Sequence, residues 1–324
     1  MSRRGRNYGL TTIIMWSSYS SVQRQGNGGT HEYFIMSPSS WSRRQDKTKL
    51  IRIAPAYRQR HRDGPLNSSA IIEDTISTLA NTMRMYVEAH MRFGDLFKID
   101  PEEAIDNIDR AFEMKLEAFH TLYDVSKKLF PYFDHGDTAL IIMVRNAIHH
   151  RDHPLFRSLK RRLHLDEGGV ERWLGASFLL ASHPTLHGAP VLISHHVRMD
   201  DIDARLDPSR ASPYLDTFVG GTKAADRLKL IDHQLGFPEI RKFRSQHRYP
   251  DDQTYLDLLP IFVSAVCKVF KAMKVAGISF KGSDARTYLI PFTSELEIDL
   301  GRQTFKQLRL RGWGPLDLIP IPIG

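Results

Sequence analysis

Along residues 67–97 the apolar positions Ile71, Ile72, Ile76, Leu79, Met83, Val87 and Met91 recur at intervals that average one helical turn, behind a serine pair able to cap a helix. The spacing predicts a long amphipathic helix. A second follows in "DPEEAIDNIDRAFEMKLEAFHTLYDVSKKLFPYF". Asp100 stands at its cap, Pro101 at its first helical position, acids in its first turn, and Lys127 and Lys128 near its end. A third is expected from a cap at Asp137 until Pro154 stops it. Three helices with short connections imply an antiparallel bundle.

Beyond Pro154 the pattern is mixed. "GVERWLGASFLLAS" reads as a helix and "APVLISHHV" (189–197) as a strand. A stretch rich in Asp, Pro and Gly runs to about residue 250. "DDQTYLDLLPIFVSAVCKVFKAMKVAG" then predicts one more apolar helix, capped by Asp251 or Asp252, and the tail suggests short strands. The fold class expected is mainly α: a helical bundle with an inserted mixed α/β segment and short C-terminal strands. The expected segments are 1–66, basic and flexible with one short strand at "TKLIRIAPAY"; 67–154, the bundle core; 155–250, the insertion; 251–279, the closing helix; and 280–324, a C-terminal extension. No internal repeat and no sustained heptad is visible.

Charge changes this picture at one end. Of a net charge of +8, residues 1–66 carry twelve Lys/Arg against three acids, or +9, leaving −1 over the other 258 residues. A polycation of this kind holds nucleic acid through counterion release without reading sequence, or is simply a solvated tail. A start at Met36 would remove part of it. The single cysteine, Cys267, excludes an intramolecular disulfide and a cysteine-rich zinc site, and fits a reducing cytoplasm. No apolar run approaches the ~20 residues of a membrane span. The longest candidate, 258–273, is interrupted by Pro260, Lys268 and Lys271. The chain is expected to be cytoplasmic, with no membrane partner.

Candidate chemistry concentrates in "MVRNAIHHRDHPLF" (143–156). At about 100° per residue with Val144 at zero, Leu140, Ile141, Ala147 and Ile148 fall within roughly 60° of it, one stripe facing the core. Arg145, Asn146, His149, His150 and His153 all fall at about 100° or more, away from that stripe. Ile142 and Met143 lie on the back of the same helix, so a partner subunit or another part of the chain is expected to cover it.

Arg145, Asn146, three further residues and then His150, near the end of a bundle helix, resemble the signature of the HEPN family, all-helical domains found in RNases, toxins and antiviral defence proteins. The resemblance covers 67–153, with 251–279 as the helix that closes a HEPN-like bundle. It implies a homodimer in which two motifs meet and cleave RNA without metal or cofactor. His150 would transfer the proton, Arg145 contact the phosphate, and Asn146 position them. Members paired with a nucleotidyltransferase antitoxin carry a tyrosine two places after the histidine. Asp152 stands there, so that route of control is in doubt, and any regulatory protein partner is unidentified.

The residue types suit this chemistry without the family. RNA carries its own nucleophile, the 2′-hydroxyl, so the enzyme needs a group titrating near neutrality and a fixed cation. An arginine fork holds two phosphoryl oxygens as charge develops. His149 and His153 are expected to line the substrate cleft; as an i, i+4 pair near Asp152 they also have metal-ligand spacing, with His183, His187, His195 and His196 as distant contributors. "FRSLKRRLHL" places Arg157, Lys160, Arg161 and Arg162 as a rail for an RNA backbone, or as a solvated helix face. No P-loop, dinucleotide fingerprint or nucleophile elbow is present. "FVGGTKAAD" (218–226) is too short a signal for a phosphate loop. The expectation is a metal-independent endoribonuclease; the alternatives are a non-catalytic HEPN module binding RNA, nucleotide or protein, and a metal-dependent hydrolase.

Overall fold

The structure, a computed structural model, describes residues 68–149, 156–206, 221–310 and 321–323. The basic segment 1–66, His150, His153 and the glycine pair at 220–221 therefore lie wholly or partly outside the described residues, and the strand expected at "TKLIRIAPAY" is among them. Residues 68–324 form one compact unit.

The helical part follows the periodicity. Helix α1 spans Ser68–Phe97 and α2 spans Pro101–Ser126, packed along it. Asp100 caps α2 as its position predicts, its Oδ1 accepting the Glu103 N–H at 2.9 Å, with Pro101 at the first helical position. Helix α3 spans Gly136–His149, and its stripe of Leu140, Ile141, Val144 and Ala147 is buried. The back of α3 is covered within the chain: Ile142 is also buried, and α3 packs against α2 and two further helices described below.

Asp137 does something other than cap α3. It is fully buried, accepts the Ser264 hydroxyl at 2.7 Å, and pairs with the Lys268 ammonium at 2.8 Å. A carboxylate without water needs such partners, so this side chain ties α3 to the closing helix.

The chain continues through α4 (Leu159–His164), β1 (Ser177–Ser182), β2 (Thr185–His187), β3 (His196–Arg198), α5 (Met199–Leu206), α6 (Gly221–Gln234), α7 (Phe237–Gln246), β4 (Thr254–Asp257) and α8 (Leu258–Val275). A short helical stretch over 282–295 precedes β5 (Glu297–Ile298), β6 (Thr304–Arg309) and β7 (Ile321–Ile323). The two other helices against α3 are α6 and α8. Gly136 lets α6 come close: a Cβ there would lie 3.3 Å from the Ile231 Cα, and its N–H donates to Gln234 at 2.6 Å.

Two expectations are corrected. "GASFLLAS" is strand β1, with Val170–Trp173 a 3₁₀ turn before it rather than the start of a helix. Residues 251–253 form a 3₁₀ turn leading into β4, so the cap of α8 is Asp257, whose Oδ1 accepts the Leu259 N–H at 3.1 Å. Of the strand expected over 189–197, only His196 and Val197 are in a strand, β3, which runs to Arg198.

The main sheet has the order β3-β4-β1-β6-β7, with β1 parallel to β4 and every other pair antiparallel. It takes strands from the 155–250 segment and from the tail alike. Alternation along β1 gives it two covered faces. Ala181, with Leu256 of β4, joins the large core between sheet and helices. Phe178 and Leu180 join Tyr255, Leu308, Leu159 and Leu163 in a smaller core on the other face, under α4. β2 and β5 form a separate antiparallel pair.

Candidate functional site

Helix α3 ends its described part beside the C-terminal half of α2, and two of its side chains meet there on one carboxylate. Glu117 of α2 accepts from the Arg145 guanidinium at 2.7 Å on Oε2 and faces His149 Nδ1 at 3.4 Å on Oε1. Arg145 also donates to the Asn146 side-chain oxygen at 3.2 Å. His120, one turn along α2 from Glu117, lies close enough that burial and then the Arg145 charge push its pKa down. Its Nδ1 is 3.3 Å from Asp124. The corner faces water: the His149 side chain is 61% exposed and Glu117 45%, against 18% for Arg145. It thus combines an oriented cation, an oriented imidazole and a carboxylate at the rim of the bundle.

The structure brings Arg145, Asn146 and His149 together. His150 and His153 lie outside the described residues. Glu117 and His120 were not singled out in the sequence. Both stand half-buried on a helix predicted to neighbour the motif, but only the packing of α3 against α2 gives them their place.

The basic residues after the motif do not form an open rail. Arg157 pairs with Asp166 at 3.0 Å, and Arg161 with Asp109 at 3.1 Å and with Asp106. Arg162 pairs with the fully buried Asp201 at 3.0 Å. Lys160 instead turns inward over the Phe93 ring, 5.5 Å from its centre.

Lys160 lines a cavity of about 210 Å³ together with Ser158, His164, Ser194, His195 and His196. Ile108, Leu159, Leu163, Leu180 and Leu308 supply its apolar walls. The positions follow from local structure. Ser158 caps α4, accepting the Arg161 N–H at 3.2 Å, and α4 then presents Lys160 and His164 one turn apart. His195 is fixed from both ends: its N–H donates to Asp257 at 2.9 Å, and its ring stacks on Phe112 with centroids 3.6 Å apart. Burial lowers the pKa of Lys160, His164, His195 and His196 alike, so the imidazoles stay neutral at physiological pH.

Behind Phe112 lies a second buried cation. Lys115 is 1% exposed, with its ammonium 3.7 Å from the Tyr86 ring centre and 4.5 Å from those of Phe112 and Phe262. Its Nζ has no hydrogen-bond partner among the described residues, and burial holds its pKa well below the usual lysine range.

Among the described residues no group of three or more His, Cys, Asp or Glu side chains is placed to hold a metal ion. The lone thiol, Cys267, is buried and its pKa is pushed up to about 12, which leaves it unreactive. No described helix is long and apolar enough to cross a membrane. Neither the scan against protein-family models nor the searches of curated proteins and of solved structures returned a match.

Proposed function

We propose that the chain is a metal-independent endoribonuclease working at the α2–α3 corner. The observation that supports this reading is the convergence of Arg145 and His149 on Glu117, immediately before His150. In this scheme the Arg145 guanidinium receives the scissile phosphate and His150, the next residue in sequence after α3, takes the proton from the ribose 2′-hydroxyl. The 2′-oxygen attacks phosphorus, the bond to the 5′-oxygen breaks, and a second imidazole returns a proton to that oxygen. The products are a 2′,3′-cyclic phosphate and a 5′-hydroxyl. Glu117 is the positioning residue, since it fixes both the arginine fork and the His149 ring. A homodimer that joins two such corners, and a role in stress or phage defence, rest on the family resemblance.

The ion pair itself favours a second reading. An arginine already neutralised by Glu117 suits a HEPN-like module that binds RNA, nucleotide or protein without cutting. The deciding experiment is cleavage of labelled single-stranded RNA and tRNA in EDTA, wild type beside Arg145→Ala and His150→Ala. Cutting by the wild type alone, with cyclic phosphate ends, supports the nuclease. A folded protein that binds RNA and leaves it intact supports the module.

A further inference from the structure

The cavity under α4 is a different chemical environment from the corner, and the two stand on opposite faces of α2. Ile108, which lines the cavity, and Glu117, which anchors the corner, are nine residues apart, so about 180° around the helix and roughly 14 Å along it. The cavity is built almost entirely of donors. One ammonium, three imidazoles and two hydroxyls line it, and none of its lining residues carries a carboxylate. Among the described residues no carboxylate lies within ion-pair distance of Lys160, although every arginine of α4 has one.

Asp109 and Asp257 act on this half-buried ammonium only from beyond ion-pair contact, so an anion in the space beside it would complete its compensation. Behind the Phe112–His195 stack Lys115 is buried among three aromatic rings, with Asp257 acting on it through space.

We propose that this cavity is a binding site for a small phosphate-bearing anion, held by Lys160, His164, His195 and His196. The donors come from two elements, α4 on one side and the approach to β3 on the other. They therefore surround a ligand in the way a tetrahedral oxyanion accepts, whereas a carboxylate accepts mainly in its own plane. Its volume of about 210 Å³ falls below the ~300–1,000 Å³ of sites for drug-sized ligands, which selects a compact molecule. The leucine and isoleucine walls accommodate a short apolar group on the phosphate, so a monoester is favoured over the inorganic ion. This site stands independently of RNA cleavage at Arg145.

The test is calorimetric titration of the full chain with inorganic phosphate, phenyl phosphate and benzoate, repeated on Lys160→Met and on Leu163→Phe. Lys160→Met keeps the stem's volume and removes the charge. Leu163→Phe narrows the apolar side. The expected order is phenyl phosphate tighter than inorganic phosphate, with benzoate weaker than either. Lys160→Met should weaken both phosphates at least tenfold, and Leu163→Phe should weaken phenyl phosphate more than inorganic phosphate. Preference for inorganic phosphate would still place the anion here, with the free ion as ligand. Wild-type protein that binds neither phosphate, benzoate equal to phenyl phosphate, or affinities unchanged in two variants that both fold would overturn the proposal.

Discussion

The corner at Arg145 and the cavity at Lys160 share helix α2 and solve opposite electrostatic problems. At the corner each charge has a partner and faces water, so the ion pair contributes little to stability and its product is orientation. In the cavity the cation is half-buried and, among the described residues, has no carboxylate in ion-pair contact; Asp109 and Asp257 act on it from further off. Paired exposed charges mark a place where geometry is held ready for a substrate that comes and goes. An unpaired enclosed charge marks a place waiting for a ligand that stays. The same residue types, basic side chains with histidines, thus carry different meanings according to what stands within about 4 Å of them.

Variants separate the two regions. The largest effect is expected for His150→Ala, which should lower RNA cleavage at least 100-fold if histidine transfers the proton, as read by product formation in EDTA. Glu117→Gln should follow, at about 10- to 100-fold. It keeps the side-chain volume but loosens Arg145 and His149 together, and phosphate binding in the cavity should not change. An equal loss of both activities in Glu117→Gln would mean the regions are not distinct.

Stability offers a third probe. Lys115→Met replaces a buried amine that has no hydrogen-bond partner among the described residues by an apolar side chain of similar length, and should stabilise the fold by roughly 1–3 kcal/mol at neutral pH. The sign with pH follows from the depressed folded-state pKa. Between that value and the unfolded value of ~10.4 the unfolded chain binds the proton and the native one does not, so wild-type stability rises with pH. Urea unfolding at pH 7 and pH 9 should show that rise in the wild type and a smaller one in the variant.

The smallest effect concerns the anion itself. An anion beside neutral imidazoles raises their pKa and draws in protons, so affinity should grow as pH falls. Sulfate, whose charge is constant over this range, should bind a few-fold tighter at pH 7 than at pH 8. The titrating groups that face the site are His164 and Lys160 on α4, His195 and His196 before and on β3, and His90 on α1. Lys115 and Asp109 on α2, Asp257 at the end of β4, and Lys306 on β6 act on them as charges. Affinity that does not change between these two pH values would remove the imidazoles from the site.

The helices were legible because α1, α2 and α3 each bury one stripe over several turns, and because Asp100–Pro101 marks a helix start in two residues. β1 was not. Its run "SFLLAS" is buried on both faces, and a continuous apolar run has no period to tell strand from helix. The cap of α8 was misplaced because Asp251, Asp252 and Asp257 are equivalent by type, and only the strand β4 between them decides.

Of the corner, Arg145, Asn146 and His149 were legible as one polar face. Glu117 was not, because a carboxylate on a neighbouring helix gains its meaning only from packing. The cavity was least legible of all. His195 and His196 drew attention only as distant metal ligands, while Lys160 was read as facing RNA. Its inward turn depends on the sheet beneath α4, whose five strands come from five separate stretches of chain.

That sheet also sets an order of events for the newly made chain. Helices α1, α2 and α3 are complete by His149; α1 and α2 already hold each other, while α3 still awaits α6 and α8. Strand β1 lies in the middle of the sheet, yet neither of its neighbours exists when it leaves the ribosome: the β6 partner of Ser182 is 122 residues further on. Until β4 is made at Thr254–Asp257 this apolar strand has both edges open, and until β6 it keeps one, each a template for aggregation. A chain cut before residue 304 is expected to keep its helices and to aggregate through the open edge of β1, as light scattering would read.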